Sequence, residues 1–547
     1  AFHQVAQYTG NGSTQSVTNT GNSNLQPDWL WIKRTSDTNS SHVVNAVQGL
    51  SGDIAVATDL TSAAFAGDVG SFNTDGFTLD SGANAVNGNS STYVAYQWKA
   101  GGTAPTKTYR VVVVSDSGNK YRWRNSGNTA TFAQSAVTLD LQEGGTYTID
   151  GSDSTMASHP IKLSTTANGT HGGGSSYNTG VTYKLDGSTV TESAYVSGYS
   201  SATTRQLIIT VAASAPTLYY YCHYHSGMGG QINTNSNFGS TNFDGSLKTT
   251  VTANQSAGFS IMQFTSGNGD FSYGHGLGQK PRAFIIKDLA AGSTNWRVFI
   301  QGSQRGSAYA NLQAGGKLNS DAVFDQGANA MWNGGTYTDT TDSVLYLGTG
   351  ADTGGGTNAK IMFVFAEKQG FSKFGNYQGT GNADGNYIYC GFKPQWVMVK
   401  KTYGGTHSWQ IQYSGGNPTS DGTTGGNPIA KTLLANTNAV EATENSMDFC
   451  STGFTGDFLG SVSCGKFEAL LLKNFWIKEK TPITTGIWAK PPAITVDCEY
   501  IFWFYLYKRL SICSLICCDF TKMVTFWDRN NSMKLFLFFR ICCFYLY

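Results

Sequence analysis

Apolar residues along the chain fall in short runs bounded by Gly, Asn, Ser and Thr, which is the pattern of strands joined by tight turns rather than of helices. In PDWLWIKRT, starting at Pro27, Trp29 and Trp31 occupy one face while Leu30 and Ile32 occupy the other. Successive strand side chains point to opposite faces, so this strand is apolar on both sides and is predicted to lie centrally in a stacked sheet. PRAFIIKDL from Pro281 and PQWVMVKKT from Pro394 repeat the pattern. Each run ends on a lysine, Lys33, Lys287 or Lys400, where the chain is expected to reach solvent.

The repetition extends beyond these strands. Phe2, Phe259 and Phe371 each stand eight residues before a glycine (Gly10, Gly267, Gly379), and a second glycine follows at Gly12, Gly269 and Gly381. The blocks TYVAYQWKAGG and KIMFVFAEKQGF match, as do SFNTDGFTL and SMDFCSTGF. Trp296 in STNWRVF and Trp409 in THSWQIQ hold like positions. Three diverged copies of one β-unit are therefore expected, at residues 1–100, 251–370 and 371–485. Each is the size of a small sandwich. The glycine pairs precede strands, not helices, so they are read as turns and not as a phosphate cradle.

Composition agrees with this reading and removes some functions. Of 547 residues, 66 are Gly, and aromatic residues are too plentiful for a disordered chain. Lys+Arg total 36 against 35 for Asp+Glu, so there is no electrostatic footprint for nucleic acid. No heptad stretch supports a coiled-coil stalk. No Met opens the chain, and its first residues read as the interior of a repeat, so the first copy is expected to be N-terminally incomplete. After Gly486 there is no glycine, and six of the ten cysteines lie beyond residue 490. The apolar runs of this 486–547 tail are interrupted by Lys508, Arg509 and Arg540 and are too short to span a bilayer. A frameshifted or wrongly joined segment is the favoured reading, and no function is assigned to it.

Residues 101–250 interrupt the repeats with a further series of short strands, and candidate chemistry concentrates there. Cys222, His225 and Met228 form a Cys-x2-His-x2-Met cluster where a strand ends, and His159 opens an earlier strand beside Pro160. An electron-transfer copper site takes two imidazoles, one thiolate and a weak axial thioether. The loop alone can supply one suitable imidazole, so a neighbouring strand must deliver His159. Copper is the expected metal, with zinc as the lesser choice on the same Cys/His set. The plain alternative is a buried structural thiol with a core methionine. His223 and His171 are expected at the surface.

The segments ASHPIKLSTTANGTHGGGSSY and LYYYCHYHSGMGGQ resemble the cupredoxin family. That resemblance implies a Greek-key sandwich with His159, Cys222, His225 and Met228 as ligands and single-electron transfer as the activity. The long glycine-rich loop after the first ligand departs from soluble electron carriers. That loop, with FTSGNGDFSYGHGLGQKPRAFIIKD, FVFAEKQGFSKFGNYQGTGNADG and GFKPQWVMVK, resembles virion and tail-fibre-like proteins of marine tailed bacteriophages. The overall expectation is an all-β chain of jelly-roll or lectin-like sandwich repeats with an inserted cupredoxin-like sandwich. By resemblance its place is the virion or an extracellular surface, and its partners are other virion proteins, further copies of itself or host-surface glycans. The other readings are a copper electron-transfer protein and a cell-surface adhesin. No catalytic residues are assigned. Trp296 and Trp409 are candidate ligand-contact aromatics, against a core role for both.

Overall fold

The computed structural model describes residues 1–21, 23–101, 104–235, 239–301, 315–324, 340–379, 386–402, 404–416 and 427–456, and by backbone alone the strands Lys466–Leu472, Phe526–Trp527 and Met533–Lys534. Residues Ala1–Ile477 form one compact unit, and Lys478–Tyr547 are a second, in which the two short strands pair antiparallel. The rest of the apolar tail and its cysteines lie outside the described residues. The chain is nearly all β, with two short helices at Asn84–Asn87 and Glu192–Gly198 among the described residues. No described helix is long and apolar enough to cross a membrane.

The three copies share one topology. In the first, the opening strand His3–Thr9 pairs with the closing strand Thr92–Trp98. The closing strand pairs with the proline-led strand Trp29–Arg34, which pairs with His42–Asn45. The second copy repeats that order with Phe259–Thr265, Ala359–Phe365, Ala283–Asp288 and Arg297–Ile300. The third uses Ser372–Gln378, Lys466–Leu472, Trp396–Lys401 and Gln410–Tyr413. The proline-led strand is thus central each time, as its double apolar face requires. The two matched hairpins also form, with Phe72 opposite Phe77 in one copy and Phe449 opposite Phe454 in the other.

Each main sheet buries both faces. Leu30 and Ile32 in the first copy pack outward with Val17, Val69, Phe77 and Leu79 from a smaller three-stranded sheet, completing a sandwich. The inner faces of all three copies meet in one core, where Trp29, Trp31, Phe259, Phe363, Trp396 and Tyr413 belong to a single cluster. Trp29 stacks on Phe363 at 4.4 Å between ring centroids, and Trp31 meets Trp396 edge-on at 6.5 Å. The expected copy boundaries therefore separate sheets but do not separate cores.

A ring of polar contacts closes around this core. Trp296 of the second copy donates its indole N–H to Ala57 O of the first at 2.8 Å. Trp409 of the third donates to Lys317 O of the second at 2.8 Å. The first copy completes the ring by donating from the Thr58 hydroxyl to Ala435 O of the third at 2.7 Å. Both tryptophans are 0 % exposed. Their candidacy as ligand contacts is corrected accordingly, because the surface a ligand would need is already occupied by neighbouring copies.

The strand-end lysines run round the same ring. Lys287 donates to Thr61 O of the first copy and to Thr294 O. Lys33 donates to Thr437 O of the third copy and to Asn39 O. Lys400 donates to Asp321 O of the second copy and to His407 O. The expectation that these positions reach solvent is overturned, since all three lysines are buried. A long side chain at a strand end can turn inward when carbonyls of a neighbouring copy await its donors. Burial lowers each ammonium to about 8, although the charges of Asp59, Asp288 and Asp321 oppose that shift beside Lys33, Lys287 and Lys400 respectively.

The sign of the resulting pH dependence is unusual. Between about pH 8 and the ordinary lysine range near pH 10, the unfolded chain keeps protons that the folded chain has released. Stability is therefore expected to rise as pH increases through that window, until the buried tyrosines, whose phenols are raised, reverse the trend. Thermal melts at pH 7.5 and 9.5 check this. An unchanged or lower melting temperature at pH 9.5 would contradict it.

Candidate metal centre

The interrupting segment is a sandwich with its own core, which includes Tyr121, Trp123, Leu163, Tyr220 and Cys222. Its strands are β1 (Thr106–Ser115), β2 (Asn119–Trp123), β3 (Leu139–Gln142), β4 (Thr146–Asp150), β5 (Ile161–Ser164), β6 (Val181–Leu185), β7 (Ser188–Val190), β8 (Arg205–Thr210), β9 (Leu218–Cys222) and β10 (Gly230–Asn235). One sheet runs β2-β1-β4-β8-β6-β7 and the other β3-β10-β9-β5. The strands Ser240–Asn242 and Thr249–Asn254 already belong to the sheet of the second copy. The insert therefore ends before the expected boundary at residue 250.

Strand register builds the site. In LYYYC, Leu218, Tyr220 and Cys222 alternate into the core. Strand β5 pairs antiparallel with β9 so that Ile161 lies opposite Cys222. His159, two residues before Ile161, is thereby brought to the end of β9, where the chain leaves the sheet through His223–Gly229. Gly229 closes this loop tightly: a Cβ there would stand 1.7 Å from Tyr220 O.

Three of the four expected ligands converge. Cys222 Sγ lies 3.5 Å from His225 Nδ1 and 3.8 Å from His159 Nδ1. All three donor atoms lie within 4.8 Å of one another, and no other group of His, Cys, Asp or Glu among the described residues meets that test. Cys222 and His159 are buried and His225 is exposed. Met228 is 1 % exposed and packs in the same core as Cys222. Bonds of roughly 2.0–2.3 Å at angles between tetrahedral and trigonal set donors roughly 3.5–3.8 Å apart. The Cys222 separations fit that span, so the residues suit one metal ion. Burial, and then the neighbouring His225, push the His159 imidazole below its ordinary range. That favours the neutral form a metal requires.

The second layer was not visible in the sequence. Tyr121 ties both ligand segments: its hydroxyl donates to His159 O at 2.9 Å and its backbone N–H to Met228 O at 3.0 Å. Asn168 sits in the left-handed region at φ 60°. It donates from Nδ2 to Ser226 Oγ and accepts from Gly227 N, each at 2.8 Å. The exposed His171 donates from Nε2 to Cys222 O at 3.0 Å. His223 is half-buried, with its backbone N–H on Pro160 O. The Asn168-Gly169 pair was a legible turn signal, but nothing in the sequence linked that turn to the loop it holds.

Asn168→Ala is expected to leave the fold intact and to weaken metal binding roughly 10–100-fold, the usual cost of losing an outer partner. A competitive chelator titration checks this. Unaltered affinity would show that the loop holds its shape without Asn168.

Comparison with known proteins yields one family. A domain of unknown function (DUF7483) matches residues 1–184 and 233–458, so His159 lies within the match while Cys222, His225 and Met228 lie between its two parts. No curated protein and no solved structure matches the chain.

Proposed function

The chain belongs to the DUF7483 family, which has no assigned function, and we propose that it is a rigid structural protein whose inserted sandwich binds one copper ion. The observation that carries the metal reading is the meeting of His159, Cys222 and His225 at the adjoining ends of two paired strands of one sheet. His159 Nδ1, His225 Nδ1 and the Cys222 thiolate would hold the ion, with Met228 as the weak fourth neighbour. Copper bound by such a set exchanges single electrons. The protein's part is to fix the imidazoles through Tyr121 and Asn168, to keep Cys222 and His159 away from bulk water and to leave His225 at the surface. Structural zinc closes a tetrahedron of four N, S or O ligands. With three such donors and a neighbouring methionine, the set favours copper over zinc.

Adding Cu(II) to the purified full chain should produce an intense thiolate-to-copper absorption that saturates at one equivalent. A colourless protein with its Cys222 thiol intact would overturn the reading.

The structural half of the proposal rests on the shared core and the closed ring of contacts, which make three copies one rigid body. That suits a component of a virion tail or fibre, as the sequence resemblance implies. An antibody to the purified chain should label intact particles. Labelling of a cell envelope instead would favour the adhesin reading.

A further inference from the structure

The outer core of the third copy holds Phe392, Phe449 and Phe454, and the edge strand Ile388–Tyr389 closes over it with Ile388 opposite Phe454. Side chains alternate along a strand, so Tyr387 and Tyr389 on either side of Ile388 face outward, roughly 6.5 Å apart along the chain. They are 47 % and 67 % exposed. The fold does not need rings there. In the first copy Val17 stands opposite Phe77 as Ile388 does opposite Phe454. A Cβ on Gly76 would meet Val17 O at 2.0 Å, and one on Gly453 would meet Ile388 O at 2.1 Å, so the two places match closely. The residues flanking Val17 are Ser16 and Thr18, both exposed. Small polar residues thus suffice in one copy where the other carries two large rings, and adjacent exposed rings point to a partner. Tyr387 is held in place: its hydroxyl shares a hydrogen bond with Thr452 Oγ1 at 2.7 Å, and its ring end lies on Gly453, where a Cβ would stand 2.9 Å from Cζ.

We propose that Tyr387 and Tyr389 form a flat platform for an uncharged, extended oligosaccharide. A pyranose ring has an apolar C–H face that a tyrosine ring can cover, and its hydroxyls stay wet at the rim, which matches rings with polar tips. Two rings spaced along one strand suit successive sugars of an extended chain. Gly453 and Gly391 lie beside the rings and raise no side chain. No pocket wall is therefore built from them to desolvate an apolar peptide anchor, as tight protein partners need. None of the strands Ile388–Tyr389, Ala442–Cys450 and Gly453–Gly456 carries a Lys or Arg. Asp448 alternates with the core residues Met447 and Phe449 and so faces outward, where it opposes an acidic sugar. The inference adds a ligand to the structural role proposed above and does not depend on the metal.

The test is calorimetry on the full chain with cellotetraose, tetragalacturonate and decaproline. Cellotetraose should bind saturably at one per chain, tetragalacturonate about tenfold more weakly or worse, and decaproline without measurable heat. Tyr389→Ala should lose about tenfold in affinity for cellotetraose, the worth of one stacked ring, and Tyr389→Phe should keep most of it. Both are surface changes, so an unaltered melting temperature reports the fold, while copper uptake and particle labelling report separately on the readings above. No binding of cellotetraose, equal binding of the acid, tighter binding of decaproline, or an unchanged affinity in Tyr389→Ala would each overturn the proposal. So would sedimentation of the free chain as a dimer that Tyr389→Ala turns into a monomer, since the face would then belong to a second copy.

Discussion

Trp409→Ala is expected to destabilise all three copies together rather than the third alone. Trp409 is fully buried in the shared core and lies 5.8 Å from Phe324 of the second copy. Truncating a buried tryptophan costs about 3–5 kcal/mol through lost contacts and the cavity left behind. The same change removes the indole donor from Lys317 O and with it one of the contacts that tie the third copy to the second. Because the inner sheet faces form one cluster, the loss should appear as a shift of one cooperative transition covering every copy. The insert has its own core and should melt as before. Calorimetry with the variant, comparing calorimetric and van't Hoff enthalpies, reads this directly. A transition for the first two copies that stays in place while the third melts early would mean that the copies are independent.

The second large effect concerns the metal ligands. Cys222→Ser is expected to abolish the strong visible absorption and to lower copper affinity by well over the roughly 10–100-fold typical of outer partners. Fold stability should change less, because serine is close to the same size, although a hydroxyl in a buried site needs a new hydrogen bond. The two histidines should behave differently when removed. His225 is exposed, so His225→Gly opens a path for free imidazole, which should restore the absorption. His159 is 7 % exposed, and His159→Gly should resist such rescue. Rescue of both variants, or of neither, would contradict the placement of these ligands.

What the sequence revealed and what it hid follow from the range of the interactions concerned. The proline-led strands were legible because Trp29, Leu30, Trp31 and Ile32 alternate between faces within one short segment. The convergence of His159 on Cys222 was also within reach, since it needed only two strands of one sheet in register. The closed ring was not. Whether Lys33 meets water or Thr437 O depends on a partner roughly four hundred residues away, and no local pattern separates a buried strand-end lysine from an exposed one. The same holds for Trp296 and Trp409, whose indole N–H groups meet carbonyls of other copies. Asn168 and Tyr121 were missed for a related reason: each acts through a loop far away in sequence.

The proposed centre is a single ion held among His159, Cys222 and His225. Anomalous diffraction at the copper edge, from crystals of the full chain grown with one equivalent of copper, tests it most directly. One strong peak is expected within bonding distance of Cys222 Sγ and of the Nδ1 atoms of His159 and His225. A copper-loaded crystal with that position empty, and the metal instead on His171, His223 or a tail cysteine, would contradict it.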